Sequence, residues 1–473
     1  MTRRRTAPGR LPRIALALIA FALALAAGAA WTAAAPAPPQ QPPEEPQVEE
    51  ETPEDAQGDR VEVVLETDRV RDLIRLAFPE IEGVGAFGGD LGRAARELDA
   101  TLRADLEATR IFAIHGPWAF GALELTGDRA HDFQQYRSLG DEIVILGSVR
   151  AEGGRLVFEG RVYDLASGQA ILAKRYRGPA SAGRRMAHTF ADEVVEFLAG
   201  RRGIALTRIA FTSTRTGDKE VWLMDYDGAN QRQITAHRSV SMSPAWSPSS
   251  AWLLYTSFVG GAPGVYRADL ASGRKTPVLT EGEQNAAADV SPDGRRIVFA
   301  RALGANTEIF VADVDGGRLR RLTHSSAIDT NPAWSPTGAE IAFTSSRAGN
   351  PHVYVMDAEG TNVRRISSGG TYNDGADWSP EGDRIVYATR RRGGAFDVAV
   401  TDLVSLATRV LTGGRGSHEE PTFSPDGRRI AYSSSSSGSR QIWMMDADGS
   451  NARALTGQGE NASPTWSPYP ARD

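Results

Sequence analysis

A Ser-Pro corner that recurs six times, at almost even spacing, through the C-terminal half constrains the fold of this chain more than any other feature. Successive pairs are 44, 44, 44, 45 and 43 residues apart: Ser247-Pro248, Ser291-Pro292, Ser335-Pro336, Ser379-Pro380, Ser424-Pro425 and Ser467-Pro468. Between them, short alternating runs rich in Ile, Val, Tyr and Phe are separated by tight turns such as Asp227-Gly228. A period in the low forties with several short strands is typical of a β-propeller blade.

The two ends of the repeat array complement each other. The array opens with a strand at Arg208 that has no preceding Ser-Pro corner, and it closes at Pro464–Pro468 without a following strand. Three strands from the start and one from the end complete a sixth blade, which closes the ring and leaves no open sheet edge. We therefore predict a mostly β fold, with a six-bladed β-propeller over residues 201–473.

A large apolar residue stands directly before each Ser-Pro corner. We interpret these residues as wedges between neighbouring blades, and a functional tryptophan cluster is the alternative. The six residues are Trp246, Val290, Trp334, Trp378, Phe423 and Trp466.

The N-terminal residues have the composition of an export signal and a linker. Five arginines precede an apolar run from Ile14 to about Ala27, followed by small residues, which predicts a signal peptide over residues 1–29. An uncleaved membrane anchor is the alternative. Residues 30–57, rich in Pro, Gln and Glu, predict a solvated linker. Removing residues 1–29 changes the net charge from −6 to −11, which argues against a nucleic-acid partner.

Residues 58–200 predict a small α/β domain with one sheet and two or three helices. An apolar stripe from Leu91 to Leu106 predicts a helix from about Asp90 to Thr109. The sequence also spells G-x-G-x-x-G at Gly83, Gly85 and Gly88. Its distance from the preceding strand favours a loop over a dinucleotide site.

The residues offer little support for catalysis. The chain has no cysteine, which excludes disulfides, thiolate chemistry and Cys-ligated zinc. No nucleophile elbow stands in a suitable setting. A metal site formed by His237, His324 and His418 is conceivable because all three precede corners of alternate periods, but ordinary surface histidines are the simpler interpretation. We predict no enzyme activity and no cofactor, and calcium in the channel stays an open alternative.

Polar residues near the start of each innermost strand form the best candidate site. Strands nearest the axis carry them to the rim of the central channel, where donors and acceptors can hold a protein loop or peptide. They are Ser241, Gln284, Asn285, Thr330, Asn331, Asn373, Asp374, Glu419, Glu420 and Asn461. Hydration of the channel mouth is the plainer alternative for any single residue.

The chain resembles the TolB family, periplasmic propeller proteins of the Tol-Pal cell-envelope system. The resemblance rests on the junction Met186–Phe211 (MAHTFADEVVEFLAGRRGIALTRIAF), on Met242–Pro248 (MSPAWSP) and on Ser463–Pro470 (SPTWSPYP), and it covers residues 61–473. It implies a monomeric, non-enzymatic periplasmic adaptor that acts at cell division and in outer-membrane integrity.

The resemblance also implies two partners. The channel mouth would bind a Pal-like lipoprotein, although Gln284 stands where the family often has His. A segment matching the family's N-terminal one would bind a TolA-like inner-membrane protein, and here a Pro/Glu-rich spacer precedes it. Its residues are Val61, Glu62, Val63, Val64, Leu65, Glu66, Thr67 and Asp68. The alternatives are a propeller hydrolase or lyase acting on peptide or glycan, and a generic sensor or scaffold.

Overall fold

A computed structural model describes residues 47–49, 73–282 and 284–471. The predicted signal peptide, most of the predicted linker and the segment Val61–Asp68 lie outside these residues. Among the described residues, no helix combines the length and the apolar character needed to cross a membrane.

One mixed sheet forms the centre of the N-terminal domain, with strand order β1-β6-β5-β4-β2-β3. The strands are β1 (Gln47–Glu49), β2 (Ile74–Ala77), β3 (Phe112–His115), β4 (Ile143–Glu152), β5 (Arg155–Asp164) and β6 (Ala170–Gly178). β2 pairs in parallel with β3 and β4, whereas β4, β5, β6 and β1 pair antiparallel. The sequence predicts a solvated linker at residues 47–49, but the structure pairs them with β6. An extended segment can form its backbone hydrogen bonds on a sheet edge without needing a hydrophobic core of its own.

Three helices cover this sheet: α1 (Gly89–Ala108), α2 (Arg129–Ser138) and α3 (Gly183–Ala199). Short 3-10 turns precede α2 and α3 at Pro117–Ala119 and Ala180–Ala182. The apolar stripe of α1 is buried with α3 against one face of the sheet. Phe133 and Tyr136 of α2 pack on the other face. The α/β fold and the α1 helix predicted from the stripe are therefore confirmed.

The propeller consists of six four-stranded antiparallel sheets, as the repeat predicts. Its first strands are β7 (Arg208–Thr216), β8 (Asp218–Asp225) and β9 (Arg232–Gln233). Blade 1 contains β10 (Ser241–Trp246), β11 (Trp252–Ser257), β12 (Gly264–Asp269) and β13 (Lys275–Leu279). Blade 2 contains β14 (Asn285–Val290), β15 (Arg296–Leu303), β16 (Asn306–Asp313) and β17 (Arg320–Arg321).

The remaining blades follow the same plan. Blade 3 contains β18 (Asp329–Trp334), β19 (Glu340–Ser345), β20 (His352–Asp357) and β21 (Arg364–Arg365). Blade 4 contains β22 (Asn373–Trp378), β23 (Arg384–Arg390), β24 (Phe396–Asp402) and β25 (Thr408–Val410). Blade 5 contains β26 (His418–Phe423), β27 (Arg429–Ser434), β28 (Gln441–Asp446) and β29 (Arg453–Ala454). The last strand, β30 (Asn461–Trp466), pairs with β7 and completes blade 6, so the ring closes as predicted.

The six apolar residues before the Ser-Pro corners lie between blades, which confirms their interpretation as wedges. Each ends an innermost strand, is buried, and packs against the preceding blade. Trp334, for example, contacts the cluster that contains Val298 and Val311 of blade 2. Removing such a side chain from a close-packed interior typically costs about 3–5 kcal/mol.

The two domains share one hydrophobic cluster and a buried polar network. The cluster runs from α1 and α3 into blades 5 and 6. Within the network, the carboxylate of Asp105 on α1 accepts hydrogen bonds from the Tyr226 hydroxyl and from His188 Nδ1, both at 2.7 Å. Arg184 contacts Asp227 at 2.6 Å in the turn after β8. These contacts lie at the end of the ring that carries the Ser-Pro corners, so the opposite mouth of the channel faces away from the N-terminal domain.

Candidate functional site

The first residue of each innermost strand is buried rather than presented at the channel mouth. These residues are Ser241, Asn285, Asp329, Asn373, His418 and Asn461, and their exposed fractions are between 0 and 5%. Their hydrogen bonds stay within the protein: Asn461 Nδ2 donates to Gln441 Oε1 at 2.7 Å, and Asn373 Nδ2 to the carbonyl of Gly369 at 3.1 Å. The structure thus buries four residues that the sequence predicts at the rim: Ser241, Asn285, Asn373 and Asn461. The last three bond to residues of the preceding blade, namely Leu279, His352 and Gln441 respectively.

A β-bulge follows at the third residue of every innermost strand. The register shifts there in all six blades, and the third residue has a positive φ between 49° and 66°. The six residues are Ser243, Ala287, Asn331, Gly375, Glu420 and Ser463. A bulge re-aims the side chains of the strand that contains it. Here the second and third residues are both half-buried, next to a buried first residue.

Among the predicted residues, Thr330, Asn331, Asp374, Glu419 and Glu420 occupy these two half-buried positions. They belong to blades 3, 4 and 5. The equivalent residues of blades 1 and 2 are small or apolar: Met242, Ser243, Ala286 and Ala287. The mouth is therefore asymmetric, with what we call the acidic arc (Asp374, Glu419 and Glu420) on one side. Gln284 is exposed in the loop before β14.

Hydrogen bonds between neighbouring blades fix the arc. Asp374 Oδ1 accepts from Asn331 Nδ2 and from the Thr344 hydroxyl, both at 2.7 Å. Glu420 accepts from the backbone N–H of Ser463 at 2.7 Å and from its hydroxyl at 3.0 Å. These bonds fix the orientation of the Asp374 and Glu420 carboxylates.

Glu419 lies at the rim of the arc. Its Oε1 is 2.8 Å from a guanidinium nitrogen of Arg440, and both side chains are about a quarter exposed. A partly exposed ion pair of this kind contributes at most about 1 kcal/mol to stability, so breaking it costs little.

Two aspartates further along the inner strands escaped the sequence analysis. Asp289 Oδ2 accepts the backbone N–H of Trp334, and Asp377 Oδ2 that of Phe423, both at 2.8 Å. Burial raises the pKa of Asp289 to about 7 and that of Asp377 to about 6. Both carboxylates therefore bind protons more readily than exposed ones. A recurring signal marks them, since each Asp stands directly before a wedge residue and its Ser-Pro pair.

The three histidines considered as metal ligands have other surroundings. His237 Nε2 lies 2.9 Å from the Tyr255 hydroxyl, His324 is exposed, and His418 packs edge-on against Tyr432. Within residues 73–282 and 284–471, no three His, Cys, Asp or Glu side chains form a group able to hold a metal ion.

Comparisons with known proteins cover both domains. Residues 195–470 match the model of the TolB beta propeller domain, and residues 67–171 match that of the TolB amino-terminal domain. A solved structure of TolB from Acinetobacter baumannii matches with a TM-score of 0.70 and 24% identity, covering 84% of this chain and 98% of that chain. This structural likeness supports the fold.

Curated relatives match over shorter stretches. A TolB homolog from Chlorobium chlorochromatii is 34% identical over 189 residues, which are 40% of this chain and 43% of the relative. The Tol-Pal system protein TolB of Desulfosudis oleivorans is 38% identical over 192 residues, 40% of this chain and 44% of the relative. The matched stretch is thus less than half the length of these relatives. The propeller model alone matches more than half of the chain, and the chain therefore belongs to the TolB family.

Proposed function

We propose that this chain is a periplasmic adaptor of the Tol-Pal envelope system that acts through binding alone, as a monomer and without a cofactor. It would link a Pal-like outer-membrane lipoprotein to a TolA-like inner-membrane protein, in support of outer-membrane integrity and constriction at division. Family membership supports this role. The observation that carries it is the acidic arc at the channel mouth on the face away from the N-terminal domain.

The arc suits a protein partner better than a small substrate. Two of its three carboxylates, those of Asp374 and Glu420, are half-buried and held by hydrogen bonds to neighbouring blades. A catalytic base or nucleophile must instead be free to reach a reacting atom. We infer that a partner loop enters the mouth with a cationic or amide-rich side towards blades 4 and 5, and with an apolar side towards blades 1 and 2.

The substitution Glu419→Lys tests the mouth. It reverses a charge on the arc while leaving the buried strand residues in place, so we expect affinity for the soluble domain of a Pal-like lipoprotein to fall about tenfold, or about 1.4 kcal/mol. The matched control is Glu359→Lys, which makes the same charge change in an exposed turn of blade 3, where Glu359 pairs with Arg320. Isothermal titration calorimetry measures both, and equal affinities for the two variants would remove the arc from the site.

The TolA-like partner is proposed to bind residues 61–72 by strand addition, because the alternation of apolar and polar residues there suits an added strand. The two partners would be coupled if one of them favours the segment free and the other favours it held against the protein. Deleting residues 61–72 is expected to abolish binding of the TolA-like protein and to change the affinity for the Pal-like one. Unchanged affinity for both would end this part of the proposal.

A pull-down from envelope extracts separates the adaptor from its rivals. We expect a Pal-like lipoprotein among the captured proteins, and fewer copies of it with Glu419→Lys. Capture without such a lipoprotein would favour a generic scaffold instead.

A further inference from the structure

The outer edge of the N-terminal sheet is partly covered by the chain's own N-terminal region. β6 has nine residues, and three of them pair with β1: Arg177 with Gln47, Tyr176 with Val48, and Arg175 with Glu49. β1 comes from a part of the chain that is more than 120 residues away in sequence. Without this pairing, β6 would present a row of unpaired backbone N–H and C=O groups, which is a template for strand addition.

The sheet face beside this edge carries an excess of positive charge. Tyr176 packs into the core beneath α3, so its neighbours Arg175 and Arg177 point to the opposite face. By the same alternation, Arg150, Arg155 and Arg161 of β4 and β5 share that face. Its only glutamates on these three strands are Glu152 and Glu159, which pair with Arg150 and Arg175. Five arginines thus face two glutamates.

The segment that contains β1 has the opposite charge. Residues 42–55 read PPEEPQVEEETPED, with seven acids and no basic residue. Three prolines in the first five residues and one near the end favour an extended backbone. An extended acidic peptide matches an open strand edge beside arginines both in backbone geometry and in charge.

We propose that the β6 edge and the arginine face beside it form a strand-addition site for an acidic extended peptide, and that its occupant is residues 42–55 of the same chain. The occupant protects the edge from pairing with other chains. It also anchors the chain on both sides of residues 50–72, since β1 precedes and β2 follows them.

The two anchors have a consequence for the neighbouring segment. β1 and β2 are four strand positions apart, or about 19 Å at about 4.8 Å per position. The 23 residues between Glu49 and Leu73 can span up to about 75 Å. Residues 61–72 would thus be tethered to the domain on both sides, by β1 before them and by β2 after them. This consequence rests on the proposed function, whereas the docking of residues 42–55 does not.

Engineered cysteines in the full chain test the docking, because the natural sequence has none. Gln47→Cys with Arg177→Cys joins two register partners, whose Cα atoms in an antiparallel pair are about 4.5–5.5 Å apart, within the range of a disulfide. The matched control, Val48→Cys with Arg177→Cys, shifts the first thiol by one residue and so to the other face of the strand. In a glutathione redox buffer, we expect the intramolecular disulfide of the first pair to be at least about tenfold more stable than that of the control.

The outcomes separate the possible occupants. A monomeric disulfide specific to the matched pair supports the proposal. A disulfide-linked dimer would assign the edge to a second copy, and equal stability of both disulfides would remove the docking; either result overturns the proposal. Replacing Glu44, Glu45, Glu49, Glu50 and Glu51 with Gln should lower the disulfide stability of the matched pair several-fold, and no change would refute recognition by charge. Binding of a TolA-like protein is measured separately, so failure of the proposed function leaves these results unaffected.

Discussion

The substitution Asp105→Asn probes the network that joins the two domains. Asp105 is 3% exposed and is hydrogen-bonded to both His188 and Tyr226. Burial by itself would lower the pKa of His188, but its hydrogen bonds to Asp105 and Asp225 raise it to about 10. His188 is therefore a buried cation at neutral pH. The nearby guanidinium of Arg184 has its own carboxylate partner, Asp227.

The expected loss follows from leaving that cation without its closest counter-charge. Removing one partner of a buried ion pair typically costs about 3–5 kcal/mol. The pKa sets an upper limit of similar size, because a rise from 6.5 to about 10 at about 1.4 kcal/mol per pKa unit corresponds to about 5 kcal/mol, and Asp105 and Asp225 share that rise. We therefore expect Asp105→Asn to lower the free energy of unfolding by about 3–5 kcal/mol at neutral pH. Tyr226→Phe, which removes only a neutral donor, should cost about 1 kcal/mol.

The pH dependence gives a sharper signature than the size of the loss. A raised histidine pKa contributes stability that is fully present below about pH 6.5 and is lost as the pH rises towards about 10. Asp192, whose pKa burial raises to about 7, also makes stability fall with rising pH, but between about pH 4 and pH 7. The two groups thus act in different windows, and Asp192→Asn serves as a control that should flatten only the lower one.

Urea denaturation followed by tryptophan fluorescence, at about pH 6 and at about pH 9.5, measures these effects. The unsubstituted protein should be several kcal/mol less stable at the higher pH, and the difference should shrink in Asp105→Asn but persist in Tyr226→Phe. An equal pH dependence in all three proteins would refute a charged His188.

Three further predictions concern the propeller. Trp378→Phe should destabilise the protein by about 1 kcal/mol more than Trp334→Phe. The indole N–H of Trp378 donates to a carbonyl of the preceding blade at 3.2 Å, whereas that of Trp334 has no partner among the described residues. Equal losses of stability in urea denaturation would contradict this. Gly228→Ala should lower the melting temperature more than Gly217→Ala. Both glycines have a positive φ, but only at Gly228 would an added Cβ lie 2.7 Å from a carbonyl oxygen of blade 5. The raised pKa of Asp289 makes the stability of the protein fall as the pH rises from about 4 to about 7, and Asp289→Asn should remove this part of the fall. An unchanged pH profile in the variant would rule out a buried, proton-binding Asp289.

Much of the fold was predictable because it depends on a local pattern repeated six times. Each period encodes the same strands, turns and wedge. The first three strands of the array lack an innermost strand, and the last strand of the chain supplies it, so the number of blades and the closure of the ring follow from the sequence. The stripe of α1 likewise predicts its helix to within one residue at each end. The wedge positions are confirmed because an apolar residue at the end of an innermost strand has no other place to be buried.

The sequence by itself determined which strands would be innermost and which polar residues begin them, but it could not decide which of those residues face the channel. In the sequence, the first residues of these strands look as suitable for the channel mouth as Asp374 or Glu420; they include Ser241, Asn285, Asn373 and Asn461. The structure distinguishes them, since the first residue of each innermost strand is buried while the next two, at the β-bulge, are half-buried. The bonds that hold the acidic arc join neighbouring blades through residues about 43 positions apart, such as Asn331 and Asp374. Only the closed ring brings such residues together, because they lie in neighbouring blades and no pattern within a single period specifies the contact between them.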